Sequence, residues 1–196
     1  RRVRHAVLDP TPPTSIVPRT MNDVRAFTRP LRIALMVAFA LAISNMAQAR
    51  AEGRPLALPT LTAVAKPGSR LNVVATTDII GDVLSRVGGT LIELTVLMAA
   101  GQDPHGFKPT PRELGRATKA DVLFVNGWRL EESLIDTLSS AAAAVPQVPI
   151  SAGIVPRGAG ASDPHVWMSV PSVIQWTQNA AQVLGALDPA NGATYA

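Results

Sequence analysis

The chain has 196 residues, 47% of them hydrophobic and 16% charged, with 17 Pro, 14 Gly and no Cys. That is room for one ordinary domain or slightly more, too apolar for wholesale disorder, and without thiols for a disulfide scaffold or a thiolate metal site. The net charge of +4 sits at one end: residues 1–49 hold seven arginines against Asp9 and Asp23, a balance of +5, so the remainder carries −1 and offers no footprint for nucleic acid.

Residues 1–20, with Pro10, Pro12, Pro13 and Pro18, show no periodicity and are expected to be a disordered extension upstream of a start at Met21. From Met21, three arginines precede the apolar run 33–44 (IALMVAFALAIS), and Ala47-Gln48-Ala49 follows. A positive segment, a short apolar stretch and an A-x-A end are what a signal peptidase reads, so residues 21–49 are expected to be a cleavable signal peptide cut after Ala49. Twelve residues make a helix of about 18 Å, short of a hydrocarbon core of about 30 Å, which argues against a membrane anchor. With no cysteine after the run, a lipid anchor is not expected either, and the product should be periplasmic. Pro55, Pro59 and Pro67 punctuate residues 50–70, which are read as a flexible mature N-terminus.

From Leu71 short apolar runs alternate with helical ones. Residues 71–76 (LNVVAT) read as a buried strand, and Asp78 is placed to cap a helix through Ile79, Ile80, Val83, Leu84 and Val87 that Gly88-Gly89 closes. Residues 91–97 form a second strand. Thr110, Pro111 and Glu113 have the spacing of a capping box and start a short helix. Residues 122–125 form a third strand, 131–143 a helix and 148–150 a fourth strand. Residues 171–187 are predicted to be an amphipathic helix with Val173, Ile174, Trp176, Ala180, Val183, Leu184 and Leu187 on its apolar face, stopped at Asp188-Pro189. There is no solenoid-type repeat. Strands alternating with helices predict an α/β fold with a parallel sheet, whose ligands gather in loops beyond the carboxyl ends of the strands. Two such loops are residues 98–109 and 151–168.

Those loops hold the two histidines of the globular part, in one repeated tripeptide: Asp103-Pro104-His105 and Asp163-Pro164-His165. Each proline stiffens the backbone that presents the imidazole, which suits a metal ligand. Neutral imidazole suits zinc, and also manganese or iron where carboxylates complete the shell. Asp103 and Asp163 could hold the rings in one tautomer or simply cap turns. Either histidine alone could be an ordinary loop residue, but the duplication favours a pair of ligands, His105 and His165, that amounts to half a zinc site.

Gly101-Gln102-Asp103-Pro104-His105-Gly106-Phe107-Lys108-Pro109-Thr110-Pro111, Lys119-Ala120-Asp121-Val122-Leu123-Phe124-Val125-Asn126-Gly127 and Asp163-Pro164-His165-Val166-Trp167-Met168 resemble the zinc/manganese solute-binding proteins of ABC importers, as does the opening Val73-Val74-Ala75-Thr76-Thr77-Asp78-Ile79-Ile80. The resemblance runs from about Leu71 to the last residue. It implies two α/β lobes joined by one long helix with the metal between them. Residues 71–187 would be the N-terminal lobe, 188–196 the start of the interlobe helix, and the C-terminal lobe would be missing. It further implies that His105 and His165 are ligands for Zn²⁺ or Mn²⁺, that the other ligands come from the second lobe, and that the partner is an ABC permease in the inner membrane. No catalytic residue is implied.

Other features read as structure. Trp128, Trp167 and Trp176 are expected to pack, and Gly88-Gly89 and Gly158-Ala159-Gly160 to turn, since neither has phosphate-loop spacing. Glu131, Glu132 and Asp136 are read as a solvated helix face with charge at the helix N-terminus. Ser85, Ser133 and Ser151 lack a nucleophile-elbow context. A zinc hydrolase using the same two histidines is the alternative function, though no H-E-x-x-H base is present, and a surface adhesin is a third.

Overall fold

The computed structural model describes residues 55–158 and 163–196, which belong to a compact unit spanning Arg50–Ala196. The expected extension (1–20), signal peptide (21–49), residues 50–54 and residues 159–162 lie outside the described residues. No described helix is long and apolar enough to cross a membrane.

Four strands make one parallel sheet: β1 (Leu71–Ala75), β2 (Ile92–Val96), β3 (Val122–Val125) and β4 (Gln147–Pro149), in the order β2-β1-β3-β4. The register runs Leu71 opposite Ile92, Val73 opposite Val122 and Leu123 opposite Gln147. The helices are α1 (Asp78–Gly88), α2 (Pro111–Ala117), α3 (Glu132–Ala141), α4 (Val170–Leu187) and α5 (Gly192–Tyr195). The predicted α/β class holds, and every predicted strand and helix appears within a residue or two of its expected limits.

The pleat of β3 divides the core. Val122 and Phe124 point to one side, with Leu71, Val73 and Ala75, and there meet Ile80, Val83 and Leu84 of α1 and Trp176, Ala180, Val183 and Leu184 of α4. Leu123, Val125 and Val74 point to the other side, against Ala117 of α2 and Leu134 and Leu138 of α3. Both faces are therefore covered, as strands buried on both sides require.

Local details depart from the sequence reading in three places. Thr77, not Asp78, caps α1: its hydroxyl accepts from Ile80 N at 3.3 Å, while Asp78 is the first helical residue. Ile174, expected on the apolar face of α4, is 54% exposed, because it lies about 160° round the helix from Trp176. Asn179, a polar residue, is buried on the face of Trp176 and Ala180, where its amide donates to Ile150 O at 2.7 Å and Ala152 O at 2.9 Å and ties α4 to the loop after β4. The capping box of α2 forms as expected, with Thr110 N donating to Glu113 Oε2 at 2.6 Å and Glu113 N to Thr110 Oγ1 at 3.3 Å.

The prolines of residues 55–70 do prevent helix and strand there, yet the stretch is fastened. Gly153 N donates to Leu56 O, Val64 N and Ala65 N both donate to Leu187 O, and Leu58 and Leu61 pack on the core. After Leu187 a 3₁₀ turn (Pro189–Asn191) leads into α5, where the buried Tyr195 hydroxyl donates to Asp188 Oδ2 at 2.9 Å.

Candidate metal centre

The chain runs from β1 outward to β2, then crosses back over β1 to β3 and on to β4. The crossing leaves a switch point between the carboxyl ends of β1 and β3, where loops splay apart and ligands bind in open α/β sheets. Both histidine loops leave the sheet at this end.

The first loop departs from β2 through buried Leu97 and Met98, whose N–H groups donate to Ala75 O and Thr76 O. Gln102 accepts from Ala99 N at 2.7 Å, Gly101 turns the chain at a φ of 83°, and Asp103 Oδ1 accepts from the N–H of His105 at 3.0 Å. That leaves His105 exposed on a turn closed by its own neighbours. The second loop ends in a 3₁₀ turn (Val166–Met168) whose buried Val166 anchors it to the core. Here Asp163 Oδ1 accepts from His165 N at 3.0 Å and meets His165 Nδ1 at 2.8 Å. Donation from the His165 backbone, and then from the ring, holds the Asp163 carboxyl below the usual carboxylate range. A carboxylate on Nδ1 favours the tautomer protonated there, which leaves Nε2 with its lone pair free. The two aspartates, alike in sequence, therefore differ: Asp163 holds backbone and ring, Asp103 only backbone.

The two imidazoles meet. Their centroids are 5.6 Å apart with planes at 62°. Behind them Trp167 lies 5.3 Å from the His165 ring and 6.2 Å from the ring of Trp176, itself fully buried with its indole N–H on Ser151 Oγ at 3.0 Å. A series of edge-on and tilted ring contacts thus connects the pair to the core, and Trp167 and Trp176 pack as expected. Among the described residues no three His, Cys, Asp or Glu side chains converge as a metal site. Val155, Met168 and Val170 are exposed apolar residues, and Val155 and Met168 line, with His165, Asp163 and Arg157, a surface cavity of about 240 Å³.

Beneath the pair lies a feature the sequence reading placed wrongly. Glu131 is not on a solvated face; it is 1% exposed at the switch point, where its Oε1 accepts from Thr76 Oγ1 at 2.6 Å and from Asn126 N at 2.8 Å. Burial pushes its carboxyl above the usual range, against the opposing pull of those bonds. Glu132, by contrast, is exposed and pairs with Arg129. The charge pattern of three acids on one helix could not separate them, because Glu131 precedes the helix and is turned inward by Gly127, Trp128 and Arg129, with φ of 85°, 53° and 60°. At Gly127 a Cβ would fall 2.5 Å from Leu56 Cδ1 and 3.2 Å from Pro149 Cβ, so glycine answers both the turn and the packing.

The family described as zinc-uptake complex component A periplasmic, ZnuA, matches residues 73–196. The chain belongs to this family. A manganese ABC transporter substrate-binding lipoprotein, scaA of Streptococcus gordonii, is 34% identical over 140 residues, covering 65% of this chain and 45% of the relative. An iron ABC transporter substrate-binding lipoprotein, MtsA of Streptococcus pyogenes serotype M1, is 34% identical over 138 residues, covering 64% and 44%. Among solved structures, the Cd-bound periplasmic metal binding protein of candidatus liberibacter asiaticus superposes with a TM-score of 0.61 at 29% identity, covering 64% of this chain and 48% of that one. A crystal structure of ZnuA gives 0.61 at 26% identity, covering 65% and 51%. The chain spans about half the length of these ZnuA-family relatives.

Proposed function

We propose that this chain is the N-terminal, histidine-bearing lobe of a periplasmic solute-binding protein that captures Zn²⁺ or Mn²⁺ and delivers it to an ABC permease in the inner membrane, binding rather than transforming its cargo. On this reading residues 71–187 form the lobe and residues 188–196 open the connection to a second lobe that supplies the remaining ligands. His105 and His165 are the metal ligands, His165 through Nε2.

The observation that carries the reading is the convergence of the two imidazoles from separate loops. Rings bound to one tetrahedral ion at Zn–N distances of about 2 Å have centroids roughly 5 Å apart, close to the 5.6 Å between His105 and His165. The carboxylate of Asp163 on Nδ1 supports Nε2 as the donor of His165. The relatives' names, which cite manganese and iron, and the cadmium-bound structure support a divalent transition metal without choosing among them.

The test is calorimetric titration of the full chain with zinc and manganese, beside His105→Ala and His165→Ala. Each substitution is expected to weaken binding at least tenfold. Unchanged affinity in both variants would overturn the assignment, and metal-dependent hydrolytic turnover would favour the hydrolase.

A further inference from the structure

We propose that Asn126, at the carboxyl end of β3, is the positioning residue of the His165 ligand, and that Glu131 and Thr76 hold Asn126 in place for that task. The proposal rests on the reading of His165 as a ligand and adds what aims it. Asn126 is fully buried, and its amide spends both protons on main-chain oxygens: Nδ2 donates to Gly127 O at 2.9 Å and to Pro164 O at 3.0 Å. Pro164 O belongs to the peptide group that enters His165. The other polar end of that group, His165 N–H, is held by Asp163 Oδ1 at 3.0 Å. A peptide plane fixed at both its oxygen and its nitrogen fixes the N–Cα bond of His165 and leaves only rotation about that bond and the side-chain torsions to aim the imidazole.

Asn126 is in turn immobilised from below. Its backbone N–H donates to Glu131 Oε1, the same oxygen that accepts from Thr76 Oγ1 at the end of β1. Glu131 reaches back to that position only because the intervening turn adopts three successive positive φ angles, two of them at Trp128 and Arg129, which carry side chains. Such conformations persist where surrounding contacts over-determine them, and they cluster at sites where geometry matters. The chain of bonds from Thr76 through Glu131 and Asn126 to Pro164 joins the ends of β1 and β3 to the loop after β4, across the switch point. His105 has no equivalent among the described residues, since its peptide is held only by Asp103 two residues away. One ligand is aimed by the sheet, the other by its own turn.

The test uses the full chain with Asn126→Ala, His105→Ala and His165→Ala. Zinc affinity is measured by titration, and the ring ¹⁵N resonances of both histidines by NMR. Asn126→Ala is expected to lower zinc affinity by about tenfold, in line with the loss of other outer partners of metal ligands, and to shift the ring resonances of His165 while those of His105 stay put. A folded Asn126→Ala chain with wild-type affinity and unmoved His165 resonances would overturn the positioning role. If His165→Ala itself binds like wild type, the ligand reading falls and this proposal with it; impaired His165→Ala beside unimpaired Asn126→Ala refutes the positioning alone. Should Asn126→Ala fail to fold, the wild-type chain still decides. A scalar coupling across the hydrogen bond from the Asn126 side-chain amide to the Pro164 carbonyl supports the proposal, and its absence overturns it.

Discussion

Replacing Glu131 separates what its carboxyl contributes as an acceptor from what it costs as a buried acid. In Glu131→Ala, the Thr76 hydroxyl and the Asn126 N–H lose their acceptor in a fully buried setting. A buried donor left without a partner costs about 1–3 kcal/mol, so two put the gross loss at about 2–6 kcal/mol. Relief from burying a carboxyl offsets part of this, and the net expectation is about 2–4 kcal/mol of destabilisation. Glu131→Gln keeps an acceptor at Oε1 and removes the acid, while its NH₂ replaces Oε2, which is buried with no partner among the described residues. The pH dependence follows from the raised pKa of Glu131. The folded chain keeps this proton to a higher pH than the unfolded chain, where glutamate titrates near about 4.3. Its contribution is complete below that value and is lost as pH rises through the folded pKa. Glu131→Gln should therefore match wild type near pH 4 and exceed it at pH 8, where wild type has lost that contribution. Urea unfolding followed by tryptophan fluorescence, at several pH values between these limits, measures both variants. An alanine variant within about 0.5 kcal/mol of wild type, or a glutamine variant as damaged as alanine at every pH, would refute the account.

Asp163→Ala should weaken zinc binding about 10- to 100-fold, since it removes the carboxylate on His165 Nδ1. Asp103→Ala, which frees only the backbone N–H of His105, should weaken it less; equal losses in parallel titrations would contradict the asymmetry between the loops. Trp176→Ala should cost about 3–5 kcal/mol in chemical unfolding, because a fully buried ring and its bond to Ser151 are both lost. Thr110→Ala should cost about 1 kcal/mol by opening the capping box of α2, and a change indistinguishable from zero would mean that tertiary contacts alone hold that helix.

Features that depend on neighbours along the chain were legible before any coordinates. The capping box at Thr110 and Glu113 needs residues three apart, and the buried strand at Val122 to Val125 needs only a run of apolar side chains. The repeated Asp-Pro-His tripeptide stands out in the same way, because a proline fixes its own φ and restricts the residue before it. The cap of α1 lies one residue before the expected Asp78, since Thr77 and Asp78 have equally suitable side chains and only the backbone at the end of β1 chooses between them. Ile174 neighbours the apolar stripe in the sequence, but its angular position on α4 turns it to solvent.

The amino-acid order by itself determined an α/β chain with its strands and helices in place, and two imidazoles on stiffened turns at the ends of strands, because propensity, pleat and proline act over a few residues. Only the tertiary structure decided that those rings meet, that Asp163 holds a ring while Asp103 does not, and that Glu131 and Asn126 are buried beneath them. Each of those contacts joins segments brought together by the crossing of the chain over β1, or turns on which way a side chain faces once packed. A residue's own type and near neighbours carry no record of either.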